Sequence, residues 1–180
     1  DCYCVQILDP RIDPRHWDAV VAPRHDRLEG ANVLATLGSL NPVDGAWLAS
    51  GREAFPDFEA LPRPRVTLLV GGPRRGIEFD ARLSQQLIEC VHAVAQGGSV
   101  LATTSRRTPP EFASRMRNAL ADVPGIFWNG EGTNPYPGLL GWADRIVVTP
   151  DSVNMLSEAC ATGVPVHTVA TAPLPEKIAR

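Results

Sequence analysis

The chain has 180 residues, 44% of them hydrophobic and 21% charged, as expected of a globular protein able to bury a sizeable core. Its net charge of −3 excludes the strong basic excess of a nucleic-acid binder. No apolar run approaches the length of a membrane span, and no signal peptide is visible.

The predicted elements begin with short strands at residues 4–8, 19–22 and 33–37, each followed by a polar or proline-containing break. Residues 42–54 hold one short helix. "FPDFEALPRPR" then loses periodicity and carries three prolines, so residues 56–65 read as a linker between residues 1–55 and residues 66–180. Beyond it, "VTLLV" is an unbroken β-rich run of the kind buried on both faces of a parallel sheet. Helices are expected at 80–95, 109–120, 135–142 and 151–162, with a strand and loop in "GGSVLATTSRR" at 97–107 and strands at 126–128, 146–148 and 165–169 between them. This alternation predicts an α/β fold with a parallel, Rossmann-like sheet. Right-handed crossovers bring every β-to-α loop to one edge, where ligands bind in such folds.

The four cysteines, Cys2, Cys4, Cys90 and Cys160, show neither zinc-ligand spacing nor a CxxC pair, and are expected as buried, reduced thiols. The predicted ligand edge carries Gly71 and Gly72 with Arg74 and Arg75, then Thr104, Ser105, Arg106 and Arg107, then Asn134 and Tyr136, then Asp151 and Ser152. Two twin-arginine loops beside glycines and a helix start describe an anion site. The bland alternative is that Arg74 and Arg75 only solubilise a loop. A P-loop is excluded because no GxxxxGK[ST] is present, and a dinucleotide fingerprint because GGxxxG replaces GxGxxG.

The last predicted helix repeats Asp151, Asn154 and Glu158 at i, i+3 and i+7 on one face. Val153, Leu156 and Cys160 repeat on the other, expected to be the core side. Glu158 stands about 10 Å along the helix from Asp151 at its 1.5 Å rise per residue. A carboxylate so placed suits the hydroxyls of a ribose whose diphosphate lies at the helix start. Because a carboxylate at that start repels phosphate, Asp151 is expected to cap the backbone and Ser152 to face the ligand. Asn134 is either the cap of the helix that Pro135 opens or a donor contact together with Tyr136.

The runs GGxxxG, TTSRRTP, NPY and VTxDSVxMxSEAxxTGxPV resemble the mitochondrial-fission family named after the plant "elongated mitochondria" protein, whose bacterial members look like glycosyltransferases of the GT-B fold. "QILDPR" at residues 6–11 and "APRHDRLEGANVLATLGSL" at residues 22–40 are similar to that family's segment before the linker. The resemblance implies a GT-B type, Rossmann-like domain for a nucleotide sugar at residues 66–180, lacking its last helices. It also implies that residues 1–55 are the C-terminal part of an acceptor-side domain. The implied activity is transfer of a sugar from a nucleotide-sugar donor to an unknown acceptor, a lipid-linked or cell-envelope glycan among the options. No metal or other cofactor is called for. The alternatives are a non-catalytic interaction protein of mitochondrial-fission type and a sugar-nucleotide epimerase. The implied setting is the cytoplasm, with association at the inner membrane open, and the oligomeric state is unassigned.

A transferase needs a base. His25 beside Asp26 is chemically suited to the role, with loop solvation or capping as the alternative. Asp9 and Asp13 stand in spacings common in plain turns.

Overall fold

In a computed structural model of the protein, residues 2–74, 76–128 and 130–169 are described. It is an α/β protein built on two parallel sheets. Strands β1 (Val5–Ile7), β2 (Ala19–Pro23) and β3 (Val33–Thr36) form the first sheet in that order. Next come α1 (Gly45–Ala54), a single-turn helix at Pro56–Ala60 and β4 (Arg65–Val70). The rest of the chain alternates: α2 (Ala81–Ala95), β5 (Ser99–Thr104), α3 (Pro110–Ala119), β6 (Gly125–Trp128), α4 (Tyr136–Gly141), β7 (Arg145–Val148), α5 (Val153–Ala161) and β8 (Val166–His167). The second sheet runs β6-β5-β4-β7-β8. Its strand order reverses between β4 and β7, which is where open α/β sheets leave a crevice.

Every residue of β4 is buried, which explains its β-rich run. Thr67, a buried polar side chain in mid-strand, donates from Oγ1 to the Leu139 carbonyl at 2.6 Å. Val66, Leu68 and Val70 face a cluster with Leu83, Leu87 and Val91 of α2 and with Phe112 and Met116 of α3. Leu69, Ile146 and Val148 face the opposite cluster, which α1, α4 and α5 cover. Helices on both faces make the sheet doubly wound.

The proline-rich segment at 56–65 is packed against the second sheet. Phe58 is buried with Leu101 and Leu139, and Phe55 and Trp142 join them. Helix α1 lies against α4 closely enough that a Cβ on Gly51 would stand 2.3 Å from the Pro137 carbonyl oxygen. The base of β4 is tied by Asp144, whose Oδ2 accepts the Arg65 backbone N–H at 2.8 Å. The Arg63 guanidinium also bonds this carboxylate. Arg65 itself is buried, with its guanidinium over the Trp142 ring.

The first sheet is covered unevenly. Val20 and Ala22 are buried, whereas Val5, Ile7 and Leu34 are exposed. The register pairs Ile7 with Val21 and Val21 with Leu34, so these three share one face. The expectation of buried thiols is corrected here. Cys2, Cys4 and Cys160 are exposed and Cys90 is half-buried; Cys2 and Cys4 lie just before the edge strand β1. No helix of the described residues is long and apolar enough to cross a membrane.

Candidate functional site

The crevice opens at the C-terminal ends of β4 and β7. There the Gly71 N–H donates to Thr149 Oγ1 at 2.8 Å, and the Gly72 N–H donates to Asp151 Oδ2 at 2.9 Å. The Thr149 hydroxyl donates in turn to Asp151 Oδ1 at 2.6 Å. Glycine is required at 71 because a Cβ there would stand 2.2 Å from the Asp151 carboxylate. The glycines therefore admit a carboxylate of this chain, and their N–H groups already have acceptors.

Asp151 also reaches both arginine loops. Its backbone carbonyl accepts from Arg74 at 3.0 Å, and its carboxylate lies 3.8 Å from the Arg107 guanidinium. The Asp151 side chain is fully buried, whereas Arg107 is 62% exposed. Arg107 is thus held at one end and open to solvent at the other. Arg106 is exposed, and among the described residues nothing pairs with it. Arg75 lies outside the described residues. Thr104 ends β5 beside Val70. The Ser105 N–H donates to the Val70 carbonyl at 2.7 Å, and Ser105 Oγ accepts from the Arg107 N–H at 3.0 Å, folding the β5 loop over the end of β4.

Two expectations about α5 are corrected. Ser152, not Asp151, is the N-cap, with its Oγ accepting the Met155 N–H at 3.4 Å. Asp151 precedes the cap, so helical phase does not set its direction, and it turns inward while Asn154 is exposed. Nor do Val153, Leu156 and Cys160 together form a core face: Leu156 packs against the core cluster, whereas Cys160 is exposed. They line a cleft of about 440 Å³ with Leu37, Gly38 and Asn41, because the loop after β3 crosses that side of the helix. The fully buried residue of α5 is Ala159.

Glu158 is half-buried on α5, and its Oε2 accepts the Tyr136 hydroxyl at 2.5 Å. Burial, and then the hydrogen bond and charge of Glu158, push the Tyr136 phenol well above its ordinary range. Asn134 Oδ1 accepts the Tyr136 N–H at 3.1 Å, while Pro135 takes the cap position of α4. Composition gave no hint of this Tyr136–Glu158 contact. The signal in the sequence was the presence of both NPY and SEA among the runs of the family resemblance.

His25 and Asp26 sit on the single turn at Arg24–Asp26 after β2. His25 Nε2 lies 3.8 Å from Asp26 Oδ1, with side chains 18% and 8% exposed. The loop after the neighbouring strand β3 reaches α5, where the Ser39 N–H donates to Ser157 Oγ at 3.0 Å. The C-terminal edge of the first sheet is thereby brought to the helix that carries Glu158. Asp9 and Asp13 accept backbone N–H groups two residues on, from Arg11 and Arg15, and act as turn residues.

The sequence profile of the family described as "Mitochondrial fission ELM1" matches residues 1–180. The chain is 37% identical over 193 residues to Mitochondrial fission protein ELM1 of Arabidopsis thaliana, covering 93% of this chain and 45% of that protein. It is 24% identical over 200 residues to the uncharacterised protein RP120 of Rickettsia prowazekii (strain Madrid E), covering 91% and 56%. The chain thus spans about half the length of the curated relatives it matches. Among solved structures it is similar to WaaG, a glycosyltransferase involved in lipopolysaccharide biosynthesis, with a TM-score of 0.45, 17% identity and coverage of 97% and 46%. POFUT1 in complex with GDP follows, with a TM-score of 0.43, 15% identity and coverage of 77% and 55%.

Proposed function

From the premise that the chain belongs to the mitochondrial fission ELM1 family, we propose that its crevice receives a nucleoside diphosphate and that the protein is a glycosyltransferase using a nucleotide sugar. The observation that carries this reading is the pairing of two kinds of group along one helix. At its start is the exposed Arg107, and next to it in the chain is Arg106, which has no partner among the described residues. Two turns on is Glu158, whose carboxylate has one oxygen bonded to Tyr136. Cations suit a diphosphate, and a carboxylate suits ribose hydroxyls.

In the reaction an acceptor hydroxyl oxygen bonds to the anomeric carbon as the bond from that carbon to the diphosphate breaks. The hydroxyl proton passes to a base, for which His25 is the candidate, oriented by Asp26. Arg106, Arg107 and Arg74 stabilise the charge of the departing diphosphate without a metal. Asp151 serves this step indirectly, by holding Arg74 and Arg107 at the crevice rim.

A thermal-shift screen with UDP, GDP, ADP and their sugar conjugates tests the reading. A ligand present at a hundred times its Kd adds about 2.7 kcal/mol of stability, and at least one member of the panel is expected to raise the melting temperature. Flat melting curves across the panel contradict the proposal.

A second reading, an interaction protein, is favoured by one observation. Val5, Ile7 and Leu34 expose 52%, 55% and 61% of their surface on a single sheet face, and such patches mark association surfaces. The name of the plant relative points the same way. The two readings separate in the screen, because an interaction surface on the first sheet gives the crevice no affinity for nucleotides.

A further inference from the structure

Tyr136 and Glu158 stand 22 residues apart in sequence and come from different helices, yet they share a hydrogen bond in a half-buried setting. The local sequence aims the phenol. Asn134 holds the Tyr136 N–H, and prolines at 135 and 137 fix the backbone on either side. The ring also packs beside the core cluster under α4 and α5. With its phenol raised far above ordinary pH, Tyr136 remains a donor throughout the working range. Among the described residues, no second group donates to Glu158.

Resting on the nucleotide reading above, we propose that Tyr136 is a positioning residue for ribose recognition: by holding Oε2 of Glu158 it fixes the carboxylate, so that the remaining oxygen selects a ribonucleotide over its 2′- or 3′-deoxy counterpart. A carboxylate fixed before the ligand arrives loses little freedom on binding. A site built to bond a hydroxyl also rejects an analogue that lacks it, because the half-buried acceptor is then left without a partner. The NPY run is thereby explained by what Tyr136 does to Glu158, with no direct contact to the donor required.

The test is a double-mutant cycle by titration calorimetry on wild type, Tyr136→Phe, Glu158→Gln and the double variant. The ligands are UDP, GDP and ADP, their deoxy counterparts and inorganic diphosphate. Tyr136→Phe is expected to weaken the bound ribonucleotide about tenfold and to shrink the preference for ribose over deoxyribose. Inorganic diphosphate is expected to bind unchanged. The double variant should be no weaker than Glu158→Gln alone, since a residue acting through Glu158 has nothing further to lose.

A wild-type ribose preference in Tyr136→Phe, or losses that add in the double variant, overturn the proposal. Glu158→Gln keeps the Tyr136 ring, so it tests the same point even if Tyr136→Phe folds poorly: an unaltered ribose preference there also overturns it. If no nucleotide binds wild type, the nucleotide reading itself falls, an outcome visible before any variant is made.

Discussion

Asp151 shows how one side chain can organise a crevice that it does not itself offer to a ligand. Its carboxylate takes the Gly72 N–H and the Thr149 hydroxyl while lying 3.8 Å from Arg107. Replacing it with asparagine keeps the size but leaves one acceptor oxygen, so either Gly72 or Thr149 loses its buried partner. Arg107 also loses its counter-charge. Asp151→Asn is expected to cost about 2 kcal/mol of stability, read from the midpoint of urea unfolding. A midpoint equal to wild type would show that the buried contacts are immaterial. The sequence placed Asp151 and Ser152 at a helix start, and charge repulsion assigned the cap to Asp151, although both residue types cap helices. Which one turned inward depended on the distant Gly71, whose missing Cβ makes the room.

At the scale of elements, strands and helices followed from pattern because their causes are local. β4 reads as an unbroken β-rich run since both its faces are buried, and α2 ends where its apolar period ends. The close approach of α1 to α4 was not legible, because it joins residues such as Gly51 and Pro137 that are far apart in the chain. Gly51→Ala is expected to force the two helices apart at a cost of about 2 kcal/mol. Gly45→Ala, at the open start of α1 with nothing near its Cβ, should be neutral or gain up to about 0.5 kcal/mol. Equal melting temperatures for the two variants would remove the packing argument. The Asp144 tie at the base of β4 adds a pH dependence. Burial alone would raise its carboxyl, but the Arg65 N–H and the Arg63 and Arg65 guanidiniums outweigh that and hold it below the ordinary carboxylate range. Its stabilisation is therefore complete above the unfolded-state value near 4 and lost as pH falls through the lower folded value. Asp144→Asn should flatten the acid limb of the stability profile, and an unchanged limb would contradict this.

For the whole molecule, two parallel sheets present C-terminal edges to a shared helix. The second sheet sets Glu158 on α5, and the loop from the first reaches Ser157 one residue earlier. This joins the sheet edge that carries His25 to the helix that carries Glu158, as the proposed transfer between two substrates needs. Titration calorimetry of wild type and Glu158→Gln with the best ribonucleoside diphosphate from the screen, and with inorganic diphosphate, decides whether Glu158 reads a ribose. A loss of about tenfold, or roughly 1.4 kcal/mol, is expected for the ribonucleotide and none for inorganic diphosphate, which carries no ribose. Equal ribonucleotide affinity in the two proteins would contradict it and leave Glu158 as one more polar residue on a helix.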